Sequence, residues 1–303
     1  MGNSNDTGMK PALELFALPD DDLFAAAFEA SARAQAACGQ APTFMKASPL
    51  ILTGTCRTRP PCRHCKWEHF KAQGRAAFVI DRPIPELIEH AHLLADLGIP
   101  RAFTATGWMG YRLPRIYVDA VAAIHEAEPR LQLFGLFGAL DRQSHLDLAH
   151  AGLAGMLTGL ESPSRSVYRA FRPGGDSLDD RLRALDYTRE AGMIVWSGFL
   201  LGLGETREDA AWGIETLRRF EPESVSILPF EPYPDTPMAN DPPCDARWLA
   251  QVNAVARIRI DSARYFFSDH DHAFDALYAQ RLGMNGSYET GIGKSAGHQR
   301  ESK

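Results

Sequence analysis

The chain has 303 residues, of which 45% are hydrophobic and 23% are charged, and its formal net charge is −6 at pH 7. This composition is ordinary for a folded globular protein, and the absence of a basic block argues against a nucleic-acid-binding protein. The first residues, MGNSNDTGMKPALELF, are polar and no run of 18 apolar residues follows, so we expect neither a signal peptide nor a membrane span.

Helical stretches and short apolar runs alternate along the chain. The first predicted helix is Asp20–Gly39, where aspartates precede an alanine-rich run, and the first predicted strand is Leu50–Thr55. Ser177 and Gly192 are predicted to cap the two ends of a later helix. The other predicted helices are IPELIEHAHLLADL, RIYVDAVAAIHEA, DRQSHLDLAH, TREDAAWGIETLRRF and DARWLAQVNAVARIRID, and the other strands are RAFTATG, LQLFGLFG, LAGMLTGLE, MIVWSGFLLGLG, SVSILPF and ARYFFSD.

The predicted strands are continuous apolar runs, which is typical of parallel strands buried on both faces. Their alternation with helices predicts βαβ units, which either form a doubly wound sheet or close into a barrel. We favour a (βα)8 TIM-type barrel, or its partial (βα)6 form. Residues 1–48 would then be a helical N-terminal extension, residues 49–286 the barrel and residues 287–303 a flexible tail.

Three of the five cysteines, Cys56, Cys62 and Cys65, follow the first predicted strand within ten residues. Loops after the strands carry the functional site of an α/β barrel. One interpretation is a structural zinc site with His64 or His69 as the fourth ligand. The other is a [4Fe-4S] cluster on three thiolates, which leaves one iron open. Clustered thiols also indicate a reducing, cytoplasmic location.

Several stretches resemble the radical S-adenosylmethionine (SAM) superfamily, and within it the biotin synthase-like group, over about residues 45–290. They are TGTCRTRPPCRHCKWEHF, LTGLESPSRSVYRAFRPG, DDRLRALDYTREAGMIVWSG and SGFLLGLGET. The resemblance implies a [4Fe-4S] cluster on the three cysteines, with SAM chelating the fourth iron. One electron, from a donor such as flavodoxin or ferredoxin, would cleave the sulfonium. The resulting 5′-deoxyadenosyl radical would abstract hydrogen from a small organic substrate.

The same resemblance implies SAM contacts at particular positions. Arg181 would bind the methionyl carboxylate, and Glu161 the ribose hydroxyls or the methionyl amine. Without the motifs, both would be interpreted as surface charges. The remaining implied contacts are Thr104 and Thr106 near the amine, and His64, Gly198, Leu200, Leu228 and Phe230 near the adenine, with Gly198, Leu200, Gly202 and Glu205 at the spacing G-x-I-x-G-x-x-E.

Two departures from the family pattern bear on the reaction. The cysteine spacing is C-x5-C-x2-C rather than C-x3-C-x2-C, which resembles the HmdB-like branch linked to maturation of the [Fe]-hydrogenase cofactor. Biotin synthase holds a second cluster on three further cysteines, and Phe103, Phe134 and Trp196 stand at those positions here. Aromatic side chains cannot ligate iron. We therefore expect no second cluster and no sulfur insertion by that route.

The substrate is less specified than the cofactors. Aromatic residues predict an apolar substrate cavity, with two acidic residues near late strand ends as its polar contacts or as surface charges. The residues are Phe103, Phe134, Trp196, Phe230 and Phe267, together with Glu231 and Asp269. Carbon–carbon bond formation or rearrangement, methyl transfer and cofactor assembly all stay open. A rival of another class is a zinc-stabilised barrel that only binds a ligand. Cys38 and Cys244 are given no metal role.

Overall fold

The computed structural model describes residues 6–37, 39, 41, 43–65, 80–268 and 274–289. Helices and strands alternate through most of this part of the chain. The helices are α1 (Asp6–Leu15), α2 (Asp20–Ala36), α3 (Ile84–Asp96), α4 (Arg115–Ala127), α5 (Arg142–His150), α6 (Arg165–Phe171), α7 (Leu178–Glu190), α8 (Arg207–Arg218) and α9 (Ala246–Arg259). The strands are β1 (Met45–Ile51), β2 (Arg101–Ala105), β3 (Gln132–Leu136), β4 (Gly155–Leu157), β5 (Ile194–Leu201), β6 (Ser224–Pro229), β7 (Tyr265–Ser268) and β8 (Gly286–Tyr288).

The eight strands form one closed parallel barrel in sequence order, with β8 pairing against β1. The prediction of a (βα)8 barrel is confirmed, and the partial six-stranded form is excluded. The predicted caps of α7 are also confirmed, because the Ser177 hydroxyl accepts a hydrogen bond from the Asp180 amide in a capping box. Gly192 follows the helix with a φ of 71°, which glycine adopts without steric cost.

Both ends of the barrel differ from the sequence-based expectation. The first strand is Met45–Ile51 rather than Leu50–Thr55. The chain leaves the strand early because the Thr53 hydroxyl and the Gly54 amide donate to the carboxylate of Asp81. At the other end, β8 includes Ser287 and Tyr288, which were expected in the tail. The barrel strands therefore run from Met45 to Tyr288.

Helices α1 and α6 were not predicted, and neither was a short π-helix at Asp275–Ala279. Helix α1 has a polar sequence containing Pro11, but Ala12 within it and Phe16 directly after it are buried in the same apolar cluster as residues of α8 and α9. Helix α6 follows β4 directly and buries Tyr168 and Phe171. Tertiary burial, rather than intrinsic propensity, stabilises such short helices.

The barrel interior is filled at its lower half. Met45, Phe134, Trp196, Tyr265 and Phe267 form one buried cluster inside the strands. Separate clusters fill the space between the strands and the surrounding helices. The free half of the interior is therefore the half at the carboxyl ends of the strands, where sites form in this fold. In the part of the chain that the structure describes, no helix has the length and hydropathy of a membrane span.

Candidate active site

A cavity of about 230 Å³ lies at the carboxyl ends of β1 to β4. The three clustered cysteines line one part of it, and charged residues from β4, α6 and α7 line another. The lining residues include Cys56, Cys62, His64, Cys65, Thr106, Glu161, Arg172 and Arg181. Seven of these eight were implicated by the sequence, and the fold brings them together. We call this space the cysteine cavity.

The loop that carries the cysteines packs closely on the end of β2. The Gly107 amide donates to the Thr55 carbonyl at 3.0 Å, and the Arg57 amide donates to the Trp108 carbonyl at 2.8 Å. A Cβ atom on Gly107 would lie 2.3 Å from the Cβ of Cys56. The position therefore requires glycine, because no larger residue leaves room for the first cysteine.

The donor set fits a [4Fe-4S] cluster. Three soft sulfur ligands face one cavity, whereas no three His, Cys, Asp or Glu side chains among the described residues are close enough to hold a single metal ion. Thiolates of a cubane bind different irons, so their sulfurs lie further apart than those around one ion. Burial raises the pKa of Cys62 to about 11, so this thiol must release a proton when it binds iron.

A buried ion network holds the charged side of the cysteine cavity. Arg181 Nη1 lies 2.8 Å from Glu161 Oε1, and its Nη2 lies 3.0 Å from Asp176 Oδ2. Arg172 Nη2 lies 2.5 Å from the other Asp176 oxygen. Tyr168 accepts hydrogen bonds from both guanidinium groups and donates to the backbone carbonyl of Asp176. Two arginines thus balance two carboxylates.

Glu161 is held in an unusual backbone conformation. Its φ is 64°, in the left-handed region that residues other than glycine rarely adopt. The Leu200 amide of β5 donates to the Glu161 carbonyl at 3.0 Å, which fixes this conformation. Burial favours the neutral acid, but Arg181 and Arg172 outweigh it and hold the pKa of Glu161 below its usual value. The strained backbone therefore presents an ionised carboxylate to the cavity.

His64 lies between the second and third cysteines and packs edge-on against Phe171, with ring centroids 4.8 Å apart. Burial lowers the pKa of His64 to about 4, so the imidazole is neutral at pH 7. Its Nδ1 atom is buried without a hydrogen-bond partner among the described residues. The ring therefore adds no charge to the cavity beside the cysteines.

A second cavity, of about 440 Å³, occupies the upper half of the barrel interior, and we call it the lumen. Glu161 and Leu136 line both spaces, so the two cavities adjoin. The lumen is lined by Phe103, Leu136, Leu157, Gly159, Glu161, Gly198, Phe199, Leu200, Ser226, Leu228, Tyr233 and Tyr288. Among the sequence-implicated residues, Gly198, Leu200, Leu228 and Phe103 are therefore at the lumen.

Other sequence-implicated residues lie outside both cavities. Thr104 is buried and donates to the carbonyl of Phe134 on the neighbouring strand. Since Phe103 lines the lumen and side chains alternate along a strand, Thr104 faces away from it. Phe230 follows β6 and packs against Phe171 and Met238 instead. Neither Thr104 nor Phe230 lines the cysteine cavity or the lumen, and their implied contacts with SAM stay predictions.

Five aromatic residues were predicted to line a substrate cavity, but most of them form the closed floor beneath the lumen rather than its walls. Phe134, Trp196 and Phe267 are fully buried beneath the lumen, with ring centroids 5.5 Å apart for the first pair and 4.2 Å for the second. Of the five, Phe103 lines the lumen itself. Glu231 is half-buried and lines neither cavity, and Asp269 lies outside the described residues.

Sequence reasoning missed several residues at this site. Arg172, Asp176 and Tyr168 complete the ion network, and Ser226 and Tyr288 add hydroxyl groups to the lumen. In the sequence RPGGD, the two consecutive glycines were the available signal, because glycines allow close packing of a loop. The aspartate that follows them, Asp176, is buried. Gly174 packs on the backbone of Arg59 in the cysteine loop, so this loop had to lie against the site.

Comparison with known proteins agrees with this geometry. Residues 50–213, more than half of the chain, match the model of the Radical SAM superfamily. The chain belongs to the radical SAM superfamily. It is therefore a radical SAM enzyme, and its cofactors are a [4Fe-4S] cluster and SAM.

Relatives support the biotin synthase-like relationship of this radical SAM enzyme. It is 30% identical to a biotin synthase of Paramagnetospirillum magneticum over 247 residues, which cover 80% of this chain and 73% of the relative. It is 28% identical to the [FeFe] hydrogenase maturase subunit HydE of Thermotoga maritima over 57% of this chain and 49% of the relative. The structure of methylornithine synthase (PylB) shares the fold, with a TM-score of 0.76, 17% identity and coverage of 95% and 84%.

The glycine-rich stretch of this radical SAM enzyme has a clear structural role. The carboxylate of Glu205 accepts hydrogen bonds from the Gly202 and Leu203 amides at 2.9 and 3.0 Å, and from the Trp248 indole at 3.0 Å. Gly202 has a φ of 90° and lies against Cys244. The motif thus shapes the turn after β5 rather than placing Glu205 at the lumen.

Proposed function

We propose that Cys56, Cys62 and Cys65 hold one [4Fe-4S] cluster, and that this enzyme cleaves SAM reductively. One electron added to SAM gives methionine and a 5′-deoxyadenosyl radical, which removes a hydrogen atom from a small organic substrate in cofactor or metabolite biosynthesis. The observation that carries this proposal is the cysteine cavity, in which three thiols and the buried Arg181–Glu161 pair adjoin the lumen.

The ion network supports binding of the methionyl end of SAM. The guanidinium of Arg181 supplies a positive charge that attracts a carboxylate, while its Nε and Nη1 donate to Tyr168 and to the Gly159 carbonyl. Glu161, which is ionised, suits the ammonium group or the ribose hydroxyls. Asp176 and Tyr168 hold Arg181 in place from the opposite side. The protein's contribution is thus to bind and orient SAM and to exclude water, since the chemistry belongs to the cofactors.

The barrel floor supports a single cluster. Phe103 and Phe134 are register partners on β2 and β3, and the ring of Trp196 contacts that of Phe134. The three positions that correspond to cysteines in biotin synthase thus face one interior, but they offer only carbon and an indole N–H. We expect no sulfur insertion from a second cluster. The relationship to the HmdB-like branch, which the cysteine spacing indicates, stays a prediction. So does electron donation by a flavodoxin or ferredoxin.

The test is anaerobic reconstitution of the three single variants Cys56→Ala, Cys62→Ala and Cys65→Ala. Each should lose the brown cluster absorption and the formation of 5′-deoxyadenosine, because two thiolates do not hold a cubane with one open iron. Cys244→Ala is the matched control, since this buried thiol lies against Gly202 and not at the cysteine cavity. Equal iron loss in the control would refute the ligand assignment.

No observation favours the zinc-stabilised binding module. A tetrahedral zinc site needs four ligands converging on one ion at about 2.0–2.3 Å. Within the described ranges, no group of three potential ligands is that close. His69, one of the two histidines considered as the fourth ligand, lies outside those ranges. A colourless preparation with stoichiometric zinc would nevertheless revive this alternative.

A further inference from the structure

The lumen is a cavity with a closed aromatic floor. The ring of Trp196 stacks under that of Tyr288, with centroids 5.9 Å apart and an interplanar angle of 16°. Phe267 packs against both rings. The walls above the floor include Phe103, Leu136 and Leu157. A volume of about 440 Å³ lies within the range of small-molecule sites. An occupant must therefore fit an apolar space that is closed below.

The described residues that line the lumen include one carboxylate and no cation. Of the twelve described residues that line it, Glu161 alone carries a formal charge, and that carboxylate faces Arg181 at 2.8 Å and Arg172 at 3.9 Å. Both arginines line the cysteine cavity rather than the lumen. A substrate carboxylate in the lumen would leave water without meeting a cation among these residues. Burial of an unpaired charge is strongly unfavourable.

The floor of the lumen nevertheless has one oriented polar group. The indole N–H of Trp196 donates to Ser226 Oγ at 2.8 Å, and the same oxygen hydrogen-bonds to the Tyr288 hydroxyl at 2.6 Å. A serine hydroxyl can make three hydrogen bonds, one as donor and two as acceptor. Two of these are used within the described residues. The third hydrogen bond of Ser226 remains available at the lumen. If Ser226 donates to Tyr288, Ser226 can accept from a ligand, and if Tyr288 donates, Ser226 can donate to a ligand.

We propose that the lumen binds a neutral, mainly apolar substrate with one hydroxyl or carbonyl group, and that Ser226 hydrogen-bonds to this group. The inference rests on the proposed function, in which SAM takes the side of the lumen lined by Gly198, Leu200 and Leu228 and the substrate takes the part next to Ser226 and Tyr288. It assigns the substrate class by charge and polarity. Among the described lining residues no cation pairs with an amino acid or another carboxylate, whereas alcohols, phenols, ketones and aldehydes of suitable size find a hydrogen-bond partner in Ser226.

Three ligands with the same carbon skeleton test this assignment. 3-Phenylpropan-1-ol, propylbenzene and 3-phenylpropionate differ only in a terminal hydroxymethyl, methyl or carboxylate group. Their affinities are measured by anaerobic equilibrium dialysis against reconstituted enzyme with SAM and without reductant. The alcohol should bind at least about tenfold more tightly than the carboxylate, because the carboxylate meets no cation among the described residues that line the lumen. It should also bind more tightly than the hydrocarbon.

Variants of Ser226 separate the hydroxyl contact from the apolar contacts. Ser226→Ala should reduce the affinity for the alcohol to that for propylbenzene and leave propylbenzene binding unchanged. Ser226→Thr, which keeps a hydroxyl, should retain the preference for the alcohol. If the carboxylate binds as tightly as the alcohol, or if Ser226→Ala leaves the preference intact, the proposal is overturned. The wild-type ligand series decides the charge argument even if a variant does not fold.

The same preparations, given reductant, are assayed for 5′-deoxyadenosine. Product formation together with tight carboxylate binding would overturn the substrate class and leave the proposed function standing. Absence of 5′-deoxyadenosine together with the expected order of ligand affinities would overturn the proposed function and leave the substrate class standing.

Discussion

At the scale of single residues, the side chain of Arg181 has to serve two roles. It is 4% exposed and it bridges Glu161 and Asp176, so it is neither a surface charge nor an isolated ligand-binding group. The structural interpretation of Arg181 as a solvated face charge is therefore wrong. Its guanidinium is oriented before any ligand binds, which reduces the entropy lost on binding.

Arg181→Lys should weaken SAM binding by about 1.5–3 kcal/mol, because a lysine cannot reproduce the several hydrogen bonds by which the guanidinium holds Glu161 and Asp176 beside the cysteine cavity. Glu161→Ala should weaken it comparably. Isothermal titration of the reconstituted variants measures both. Arg183→Lys on the same helix is the matched control, since that side chain is 58% exposed and should leave the affinity unchanged. Wild-type affinity in Arg181→Lys, with the cluster intact, would contradict the assignment.

Asp176 should make the fold sensitive to acid. Burial favours its neutral form, but Arg181 and Arg172 outweigh this and lower its pKa to about 2 from 3.8. The carboxylate therefore stabilises the fold at pH values above 4, and this contribution is lost as the pH falls from about 4 to about 2. Asp176→Asn should lower the free energy of unfolding at pH 7 by on the order of 2 kcal/mol. The difference should shrink below pH 4.

Urea unfolding of cluster-free protein at pH 7, 5 and 3 measures this effect. A difference between wild type and Asp176→Asn that stays constant over this range would show that the ionised carboxylate is not the stabilising form.

The motifs predicted the ligand-facing residues better than the residues that hold them. Arg181 and Glu161 were found because their neighbours in sequence are distinctive. Arg172 and Asp176 were missed, because they lie in the segment between α6 and α7, where a buried ion pair leaves no sequence period. The motif alone does not say which side of β2 faces inward, and in the structure Phe103 rather than Thr104 lines the lumen.

At the scale of elements, the cysteine loop is shaped by contacts at both of its ends. Gly107 lets the end of β2 approach Cys56, where a Cβ would also lie 2.6 Å from the Thr55 carbonyl. Gly107→Ala must displace the backbone of the loop, at a cost of about 1–3 kcal/mol. The variant should fold but lose most of its iron on reconstitution.

Iron and sulfide assays of Gly107→Ala measure the outcome. Gly8→Ala, a glycine-to-alanine change in helix α1 with nothing within 4 Å, should keep full iron content. Full iron in Gly107→Ala would mean that the loop tolerates the displacement and that its close packing is not needed for the cluster.

Asp81 ties the two ends of the same loop together. Its carboxylate accepts hydrogen bonds from the Gly54 amide at 2.7 Å and the Thr53 hydroxyl at 3.0 Å, and its own amide donates to the Leu52 carbonyl. Asp81→Ala removes the acceptor of the Gly54 amide and one of the two acceptors of the Thr53 hydroxyl, which costs about 1–3 kcal/mol. The reconstituted variant should release iron to a chelator faster than wild type.

The control for Asp81 is Asp119→Ala, which removes an exposed ion pair with Arg115 and should not change the rate of iron release. Equal rates in all three proteins would show that the ends of the loop are held by other contacts.

Elements with strong local signals were predicted well. Helix α7 has a capping box at one end and Gly192 at the other, and both were readable in the sequence. Strand β8 has three residues and α6 has seven, so neither has enough sequence to show a period. Their positions follow from pairing with β1 and from burial against the site, which are tertiary effects.

At the scale of the whole molecule, closure of the barrel and its filled floor support the proposal of a single cluster. The lower interior is occupied by Phe134, Trp196 and Phe267, so the cysteine cavity holds the cluster site that we assign. Reconstituted protein should contain about four irons and four sulfides per chain, as one [4Fe-4S] centre requires. Chemical analysis with Mössbauer spectroscopy measures this. A stable additional [2Fe-2S] signal would contradict the single-cluster assignment.

The central claim is that the cysteine cavity and its ion network support reductive cleavage of SAM. The most direct measurement is anaerobic incubation of reconstituted enzyme with reductant and SAM, followed by quantification of 5′-deoxyadenosine and methionine. The account predicts equal amounts of both products, dependent on Cys56, Cys62 and Cys65 and strongly reduced in Arg181→Lys at limiting SAM. A protein with a full complement of iron that forms no 5′-deoxyadenosine would contradict it.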